Sequence, residues 1–529
     1  MEADVSGHNA ALDALAGLLG QQHLQRDADS LQRAASDLYS SGALPLAVAC
    51  PQQVDQVPAL VQLASAHDLA LVPRGGGLSY TGGYTGIDVP YLLVDLSALN
   101  RIEHIDADDM YVVVQAGVSW KQLYEALQPL GLRTPYFGTF SGAGASIGGG
   151  LSHGALFFGS ARYGSAADNV LALEVATADG QLLHTGQWAW QQPAAPVFRG
   201  YGPDPTDLFL HDGGAFGIKT RAALRLIRTP AHSAPASFAF ADFAAAGRAL
   251  SAIAREGLAE EAYVLDPAAM AMNLERERSL QAAFNAARHV CAASPGAVGK
   301  LRALASLAAG GRTPVPANAF SLHLIAAGNC PAAIAHDLGR ARRLAQAHAG
   351  VAIAPSVPRI ARANPFPGLD AVLGATGSRW AALNCKLAHS QAPALITAHQ
   401  ALIARHADAL AAHGVRVTWL CSALFNHSFS FEAVFHWHDQ WQPTHAPHLS
   451  AEARARLREP DANPQARALV AELRQQTCAL FASLGAASNQ IGRTYPYLDN
   501  LAPGPRQLVQ DIKQRLDPQR RMNPGVLGL

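Results

Sequence analysis

Apolar positions in the first half of the chain fall into two rhythms. Val54, Val57, Val61 and Ala64 recur at three- and four-residue spacing, which predicts a helix with one buried face. Leu69 to Val72, Tyr91 to Leu96, Tyr111 to Gln115 and Val170 to Thr177 are short aliphatic or β-branched runs, which predict strands. A helix from about Trp120 to Leu127 is expected to be capped by the Ser119 hydroxyl. Residues 1–48, rich in Ala, Leu and Gln, read as mainly helical. After about residue 230 the texture changes. Alanine-rich helices (Ala244 to Ala254, Ala394 to Ala412) alternate with sparse strands (Ser321 to Ala326, Phe429 to Phe435) and a Gly/Pro/Ala-rich loop near 295–318. The polar, proline-rich stretch from Gln442 to Pro464 reads as a surface excursion. The pattern predicts an α+β fold.

Composition narrows the class. At 529 residues the chain has room for two to four compact units. Its 40 Lys+Arg balance 40 Asp+Glu, so no broad basic field exists for nucleic acid. No run reaches the roughly 18 apolar residues of a membrane span. The first residues are acidic and lack a secretory pattern. The six cysteines are singletons far apart, which fits a reducing, cytoplasmic setting.

Glycine carries the chemistry. Of 46 glycines, 24 lie between Gly75 and Gly217. Directly after a predicted strand comes Pro73-Arg74-Gly75-Gly76-Gly77-Leu78-Ser79-Tyr80-Thr81-Gly82-Gly83. Successive glycines let backbone N–H groups converge on one anion without obstruction by Cβ, which suits a diphosphate. The loop is neither a P-loop nor a clean G-x-G-x-x-G. Three more turns follow: Gly138 to Gly150, containing Ser141, Gly142, Ser146, Ile147 and Gly149; Gly159 to Gly164, containing Ser160 and Tyr163; and Asp212 to Ile218, containing Gly217.

In order and spacing, these four loops and the closing Asp517-Pro518 to Asn523-Pro524-Gly525 resemble the vanillyl-alcohol-oxidase or p-cresol-methylhydroxylase (PCMH) type of FAD-binding family. The resemblance implies a two-subdomain FAD-binding domain with an α+β cap, an antiparallel sheet flanked by helices. The implied layout is an N-terminal segment (1–48), the FAD domain (49–230), the cap (231–485) and a C-terminal segment completing the FAD domain (486–529). It implies FAD held by Arg74, Gly75, Gly76, Gly77, Leu78, Ser79, Tyr80, Ser141, Gly142, Ser146, Ile147, Gly149, Ser160, Tyr163, Gly217, Ile218 and Asn523. Non-covalent FAD is expected, because Leu78 stands where relatives place a linking histidine and Gly138 to Gly150 holds no cysteine; a link from the cap stays open.

Candidates for the chemistry come from the cap and the end of the chain. Arg493-Thr494 is similar to the pair that stabilises a phenolate in phenol-oxidising members, although Gly492 replaces the preceding tyrosine; the alternative is an arginine bonding loop carbonyls. Tyr495 offers a phenolic hydroxyl. His436 and His438 alternate onto one face of a strand and can take a hydroxyl proton. Arg379 or Lys386 can bind a carboxylate. No metal is expected: H-x-H lacks a fixed third ligand, with His427 or Glu432 the only spare candidates. The metal motifs of the D-2-hydroxy-acid branch are degraded, to Leu424-Phe425-Asn426-His427 and Ser488-Asn489-Gln490.

The expected activity is hydride removal from a phenolic alcohol or a 2-hydroxy acid. The alternative is a catalytically silent FAD-binding subunit of a larger redox assembly. The expected partners are a small-molecule donor, an electron acceptor (O2, a quinone or a cytochrome) and, as an alternative to a monomer, a second copy of the chain.

Overall fold

In the computed structural model, residues 2–277, 287, 288, 290, 291, 301, 316–374 and 376–529 are described; most of the loop expected at 295–318 falls outside them. The first sheet orders its strands Leu24–Gln25, Ala47–Ala49, Tyr91–Asp95, Ala70–Arg74, the last three parallel. Parallel strands need a crossover, and the helix Gln56–Ala66 supplies it, burying Val57, Leu60, Val61 and Ala64. On it packs the N-terminal helix Glu2–Leu19, whose Ala11, Leu12, Leu15, Ala16 and Leu19 form one buried stripe. The N-terminal segment is therefore helical but also lends a strand to this sheet.

A second, five-stranded antiparallel sheet runs Ile102–Asp106, Tyr111–Gln115, Ile218–Arg225, Val170–Ala176, Leu182–His184. The helix Trp120–Leu127 forms as expected, with Ser119 Oγ accepting from the Gln122 N–H at 3.1 Å.

From His232 onward seven antiparallel strands build one sheet, ordered Val351–Ile353, His232–Phe240, Phe320–Gly328, Glu261–Leu265, Arg416–Leu424, Ser428–Trp437, Arg379–Leu387. Strand alternation splits its side chains into two faces. Leu383, Cys385, Phe429, Phe431 and Phe435 are fully buried, on the face that packs against helices including Phe243–Arg255, Ala392–Arg405 and Pro464–Ser483. The other face carries Trp380, Asn384, Lys386, Ser430, Glu432 and His436. The predicted helix from Ala394 to Ala412 breaks at His406 into Ala392–Arg405 and Ala407–His413. The stretch from Gln442 to Pro464 is no surface excursion: Leu449, Ala453 and Leu457 are buried against Leu38, Val372 and Leu373.

The C-terminal segment returns to the first sheet. Met522 bridges Leu71 in parallel, and Asn523 N–H donates to the Leu71 carbonyl at 2.8 Å. Among the described residues no helix is long and apolar enough to cross a membrane.

Candidate functional site

The strand Ala70–Arg74 delivers the chain into the first glycine loop, which lies directly against the second. A Cβ at Gly75 would sit 2.1 Å from Ser146 Oγ, and one at Gly76 1.8 Å from the Gly144 carbonyl oxygen. Only glycine permits that approach. Gly77 takes φ +70°, a left-handed conformation that glycine adopts without strain. The loop N–H groups of Gly76, Gly77, Leu78, Ser79 and Tyr80 donate to nothing among the described residues. Backbone donors left free in a glycine-rich loop are the kind of donor set that a diphosphate requires. Arg74 braces the loop from behind: it pairs with Asp95 at 3.2 Å and lies over the Tyr84 ring, whose hydroxyl donates to the Gly77 carbonyl at 2.8 Å.

The neighbouring loops supply the walls. Ser146 caps the helix Ile147–His153, its hydroxyl accepting from Gly149 N–H at 3.2 Å, while Ile147 anchors in the core. The Ser141 carbonyl accepts from Gly144 and Ala145 N–H, and a Cβ at Gly142 would meet the Phe366 ring at 2.5 Å. Ser160 Oγ accepts from Phe157 N–H at 2.9 Å, and Tyr163 lies beneath the Arg133 guanidinium. Gly217 precedes the strand opened by Ile218, and a Cβ there would sit 2.6 Å from Val175.

Asn523 is the bolt between them. Its amide donates to the carbonyls of Gly83 at 2.7 Å and Gly213 at 2.6 Å, joining the first and fourth loops. Its Oδ1 accepts from Arg493 Nη2 at 2.7 Å.

The polar face of the cap sheet meets this cradle at Tyr80. Tyr80 Oη donates to Gln490 Oε1 at 2.9 Å, which also accepts from Asn384 Nδ2 at 2.6 Å. Asn384 Oδ1 in turn accepts from Lys386 Nζ at 2.5 Å. Cross-strand register places Asn384 opposite Glu432 and Lys386 opposite Ser430, so all four side chains share one face. Burial pushes the Glu432 carboxyl up, opposed by the Lys386 charge. Burial likewise lowers the Lys386 ammonium. His153 stacks edge-on to Tyr80 at 5.9 Å, with Nε2 buried and unpartnered; burial, then the neighbouring His211, lowers it to about 4, so it stays neutral.

The five residues expected to do chemistry are not brought together. Arg493 bonds the loop carbonyls of Gly82 and Pro524, both at 2.7 Å, in addition to Asn523. Tyr495 is buried and clasps the Asn384 backbone, donating to its carbonyl at 3.0 Å and accepting its N–H at 2.7 Å. His436 shares the polar face with Glu432, two two-residue steps further along the strand, and meets Thr418 Oγ1 at 3.0 Å. Burial, then Arg416, lowers it to about 4. His438 lies beyond the strand end, exposed, beside Thr376. Arg379 is on the opposite, helix-covered face, ion-paired to Asp439 at 3.0 Å, bonded to the Tyr39 carbonyl and stacked on Trp437. His427 sits exposed in a hairpin turn. Among the described residues no three His, Cys, Asp or Glu gather as a metal set.

Residues 45–186 match the model of an FAD binding domain. The whole chain superposes on p-cresol methylhydroxylase with TM-score 0.73 at 16% identity, covering 99% of this chain and 97% of that one. The chain has the fold of p-cresol methylhydroxylase and carries an FAD binding domain. A 4-ethylphenol oxidase from Gulosibacter chungangensis superposes at TM-score 0.67 and 17% identity, with 99% and 97% coverage. In sequence, the chain is 30% identical over 190 residues to a mitochondrial D-lactate dehydrogenase (cytochrome) of Arabidopsis thaliana, 36% of this chain and 32% of that protein. It is 32% identical over 225 residues to a D-2-hydroxyglutarate dehydrogenase of Stutzerimonas stutzeri, 42% and 46% of the two chains. These matches span about a third to a half of the curated relatives' lengths. The glycine cradle and its free N–H groups fit the FAD diphosphate.

Sequence reasoning passed over the groups that do converge. Lys386 was one of two alternative carboxylate binders, and Glu432 only a spare metal ligand. The signal was the period of two in each strand, but the register joining them is a tertiary fact.

Proposed function

We propose that this chain is an FAD-dependent oxidoreductase that removes hydride from the carbon of a CH–OH donor. The observation that carries the reading is the polar cluster where the cap sheet meets the FAD loop, with Asn384 and Gln490 buried and Tyr80, Lys386 and Glu432 half-buried. A scaffold would fill that face with apolar side chains, since buried polar groups cost free energy unless they are used or paired. Bound in the cradle, FAD supplies the two-electron acceptor. The chain's residues supply orientation, exclusion of water and a proton acceptor.

A 2-hydroxy acid is favoured over a phenolic alcohol. Arg493 spends its guanidinium on Gly82, Asn523 and Pro524, whereas Lys386 commits one N–H to Asn384 and keeps the rest for an anion. The relatives named for D-2-hydroxy acids agree with that preference. O2, a quinone or a cytochrome reoxidises the flavin. A cytoplasmic setting belongs to the same proposal, in keeping with six free cysteines.

Anaerobic mixing of the flavin-loaded protein with a panel of D-2-hydroxy acids and 4-hydroxybenzyl alcohols tests this. Bleaching of the oxidised-flavin band by a hydroxy acid is the expected result. A fully loaded protein that no donor bleaches is instead the silent subunit of a redox assembly.

A further inference from the structure

We infer that Glu432 is the proton acceptor and Lys386 the anion anchor of an alcohol-oxidising centre that works without a divalent metal. The inference rests on the oxidoreductase reading above and specifies how that site handles charge.

Lys386 and Glu432 lie on neighbouring strands, on the same face, offset by one two-residue step of the register. Both are half-buried and oppositely charged, yet they do not close into an ion pair. In a low-dielectric setting two such charges attract strongly. Unpaired with each other, each has hydrogen-bonding capacity to spare. Glu432 accepts no hydrogen bond among the described residues, although a carboxylate has about four lone-pair sites. Lys386 uses one of its three N–H groups, on Asn384.

The residues around the pair are tied down. Tyr495 fixes the Asn384 backbone, Gln490 ties Asn384 to Tyr80, and the Lys386 backbone pairs with Ala487 in both directions, at 2.7 and 3.0 Å. The segment Ser488-Asn489-Gln490 therefore supplies neutral struts. Gln490 positions Asn384 and Tyr80, while Asn489 donates to the Gly154 carbonyl at 2.7 Å. Neutral amides cannot replace the charge a cation would bring to a hydroxy acid. Lys386 brings it.

The step balances with the flavin as oxidant. The donor's carboxylate would rest on Lys386 and its hydroxyl proton would pass to the Glu432 carboxylate, while bound FAD would supply the two-electron acceptor for the hydride of the C–H bond. The carbon–oxygen bond becomes a carbonyl, and the protonated Glu432 returns its proton to solvent after product leaves.

The test uses the FAD-loaded protein and three variants, Glu432→Gln, Glu432→Asp and Lys386→Met, each first shown to retain FAD. Binding of oxalate, which cannot be oxidised here, is read from perturbation of the flavin spectrum. Donor-driven bleaching is read with and without a chelator. Glu432→Gln should slow bleaching about 100-fold or more, the usual worth of a positioned base, with oxalate affinity within about threefold of wild type. Glu432→Asp should recover part of the rate. Lys386→Met should weaken oxalate about tenfold or more, a loss of about 1.4 kcal/mol. Chelation should change neither readout. Bleaching that is lost on chelation or unchanged in Glu432→Gln overturns the inference, as does oxalate binding indifferent to Lys386. If no donor bleaches the wild type, the oxidoreductase reading itself fails, while the oxalate titration still decides the anchor.

Discussion

Arg493 Nη2 donates to Asn523 Oδ1 at 2.7 Å, and through that bond two turns of the C-terminal segment are locked to the glycine cradle. The same arginine holds Gly82, and the same asparagine holds Gly83 and Gly213. Asn523 pays for this with a φ of +43°, which asparagine tolerates better than most residues. Asn523→Ala removes three side-chain hydrogen bonds at a buried position, worth about 1 kcal/mol each. It should weaken FAD retention by about tenfold or more and lower the thermal midpoint. Fluorimetric titration of the apoprotein with FAD measures the first. Arg493→Met should do the same. If Arg493→Met instead binds FAD normally but loses turnover, the arginine serves a substrate oxyanion.

Gly76→Ala addresses the cradle directly. Its Cβ would fall 1.8 Å from the Gly144 carbonyl oxygen, a backbone atom that no rotamer change can move aside. Forced overpacking typically costs about 1 to 3 kcal/mol. The variant should purify with little flavin and melt at a lower temperature. Gly131→Ala is the control for the melting measurement. Gly131, unlike Gly76, has positive φ, but nothing lies near its Cβ, so it should show backbone strain without loss of flavin.

Cap and FAD domain are joined by a buried charge cluster. Arg133, in the short strand Leu132–Arg133 just before the second glycine loop, meets Glu260 at 2.5 Å, with side chains 2% and 0% exposed. Arg362 bonds Glu260 at 2.9 Å and also Glu261. Removing one partner of such a set strands the others in a medium that solvates them poorly. Glu260→Gln should therefore destabilise the fold by about 3 to 5 kcal/mol. Urea denaturation followed by tryptophan fluorescence reads this, and a change below about 1 kcal/mol would show that the cluster is not a latch.

How much of this was legible in the sequence follows from where each feature stores its information. The strand Tyr111–Gln115 and the helix Trp120–Leu127 formed at the expected residues because local spacing and one capping serine specify them. The seven-stranded cap was under-read. Arg379–Leu387 carries Ala381 and Ala382 side by side, so the alternation that marks a strand is faint. The stretch around Leu449 looked polar because only every fourth residue or so is apolar, and those are the ones that dock on Leu38 and Leu373. For Arg493 the sequence left two roles open, and the bonds to Gly82 and Pro524 are of the kind named as the alternative. Lys386 and Glu432 become neighbours only through the pairing of two strands that sequence alone does not register.

The acid–base character of that pair fixes how the reaction should depend on pH. Glu432 must be ionised to accept a proton, and burial raises its pKa above the ordinary carboxyl value, so the rate of flavin reduction should climb on an acid limb shifted toward neutrality. Lys386 must be charged to hold an anion, and burial lowers its pKa, so the rate should fall on an alkaline limb that sets in below the ordinary lysine value. The other groups facing them do not move in this window. Burial holds Tyr80 protonated, and His153 is lowered to about 4 and is already neutral, while Arg474 is bonded to the Tyr80 and Ala382 carbonyls. The result is a narrow bell, whose two limbs belong to the pair rather than to either residue alone. Stopped-flow flavin reduction across pH checks it: Glu432→Gln should flatten the acid limb and Lys386→Met the alkaline one. A profile flat across the neutral range in the wild type would remove both residues from the reaction.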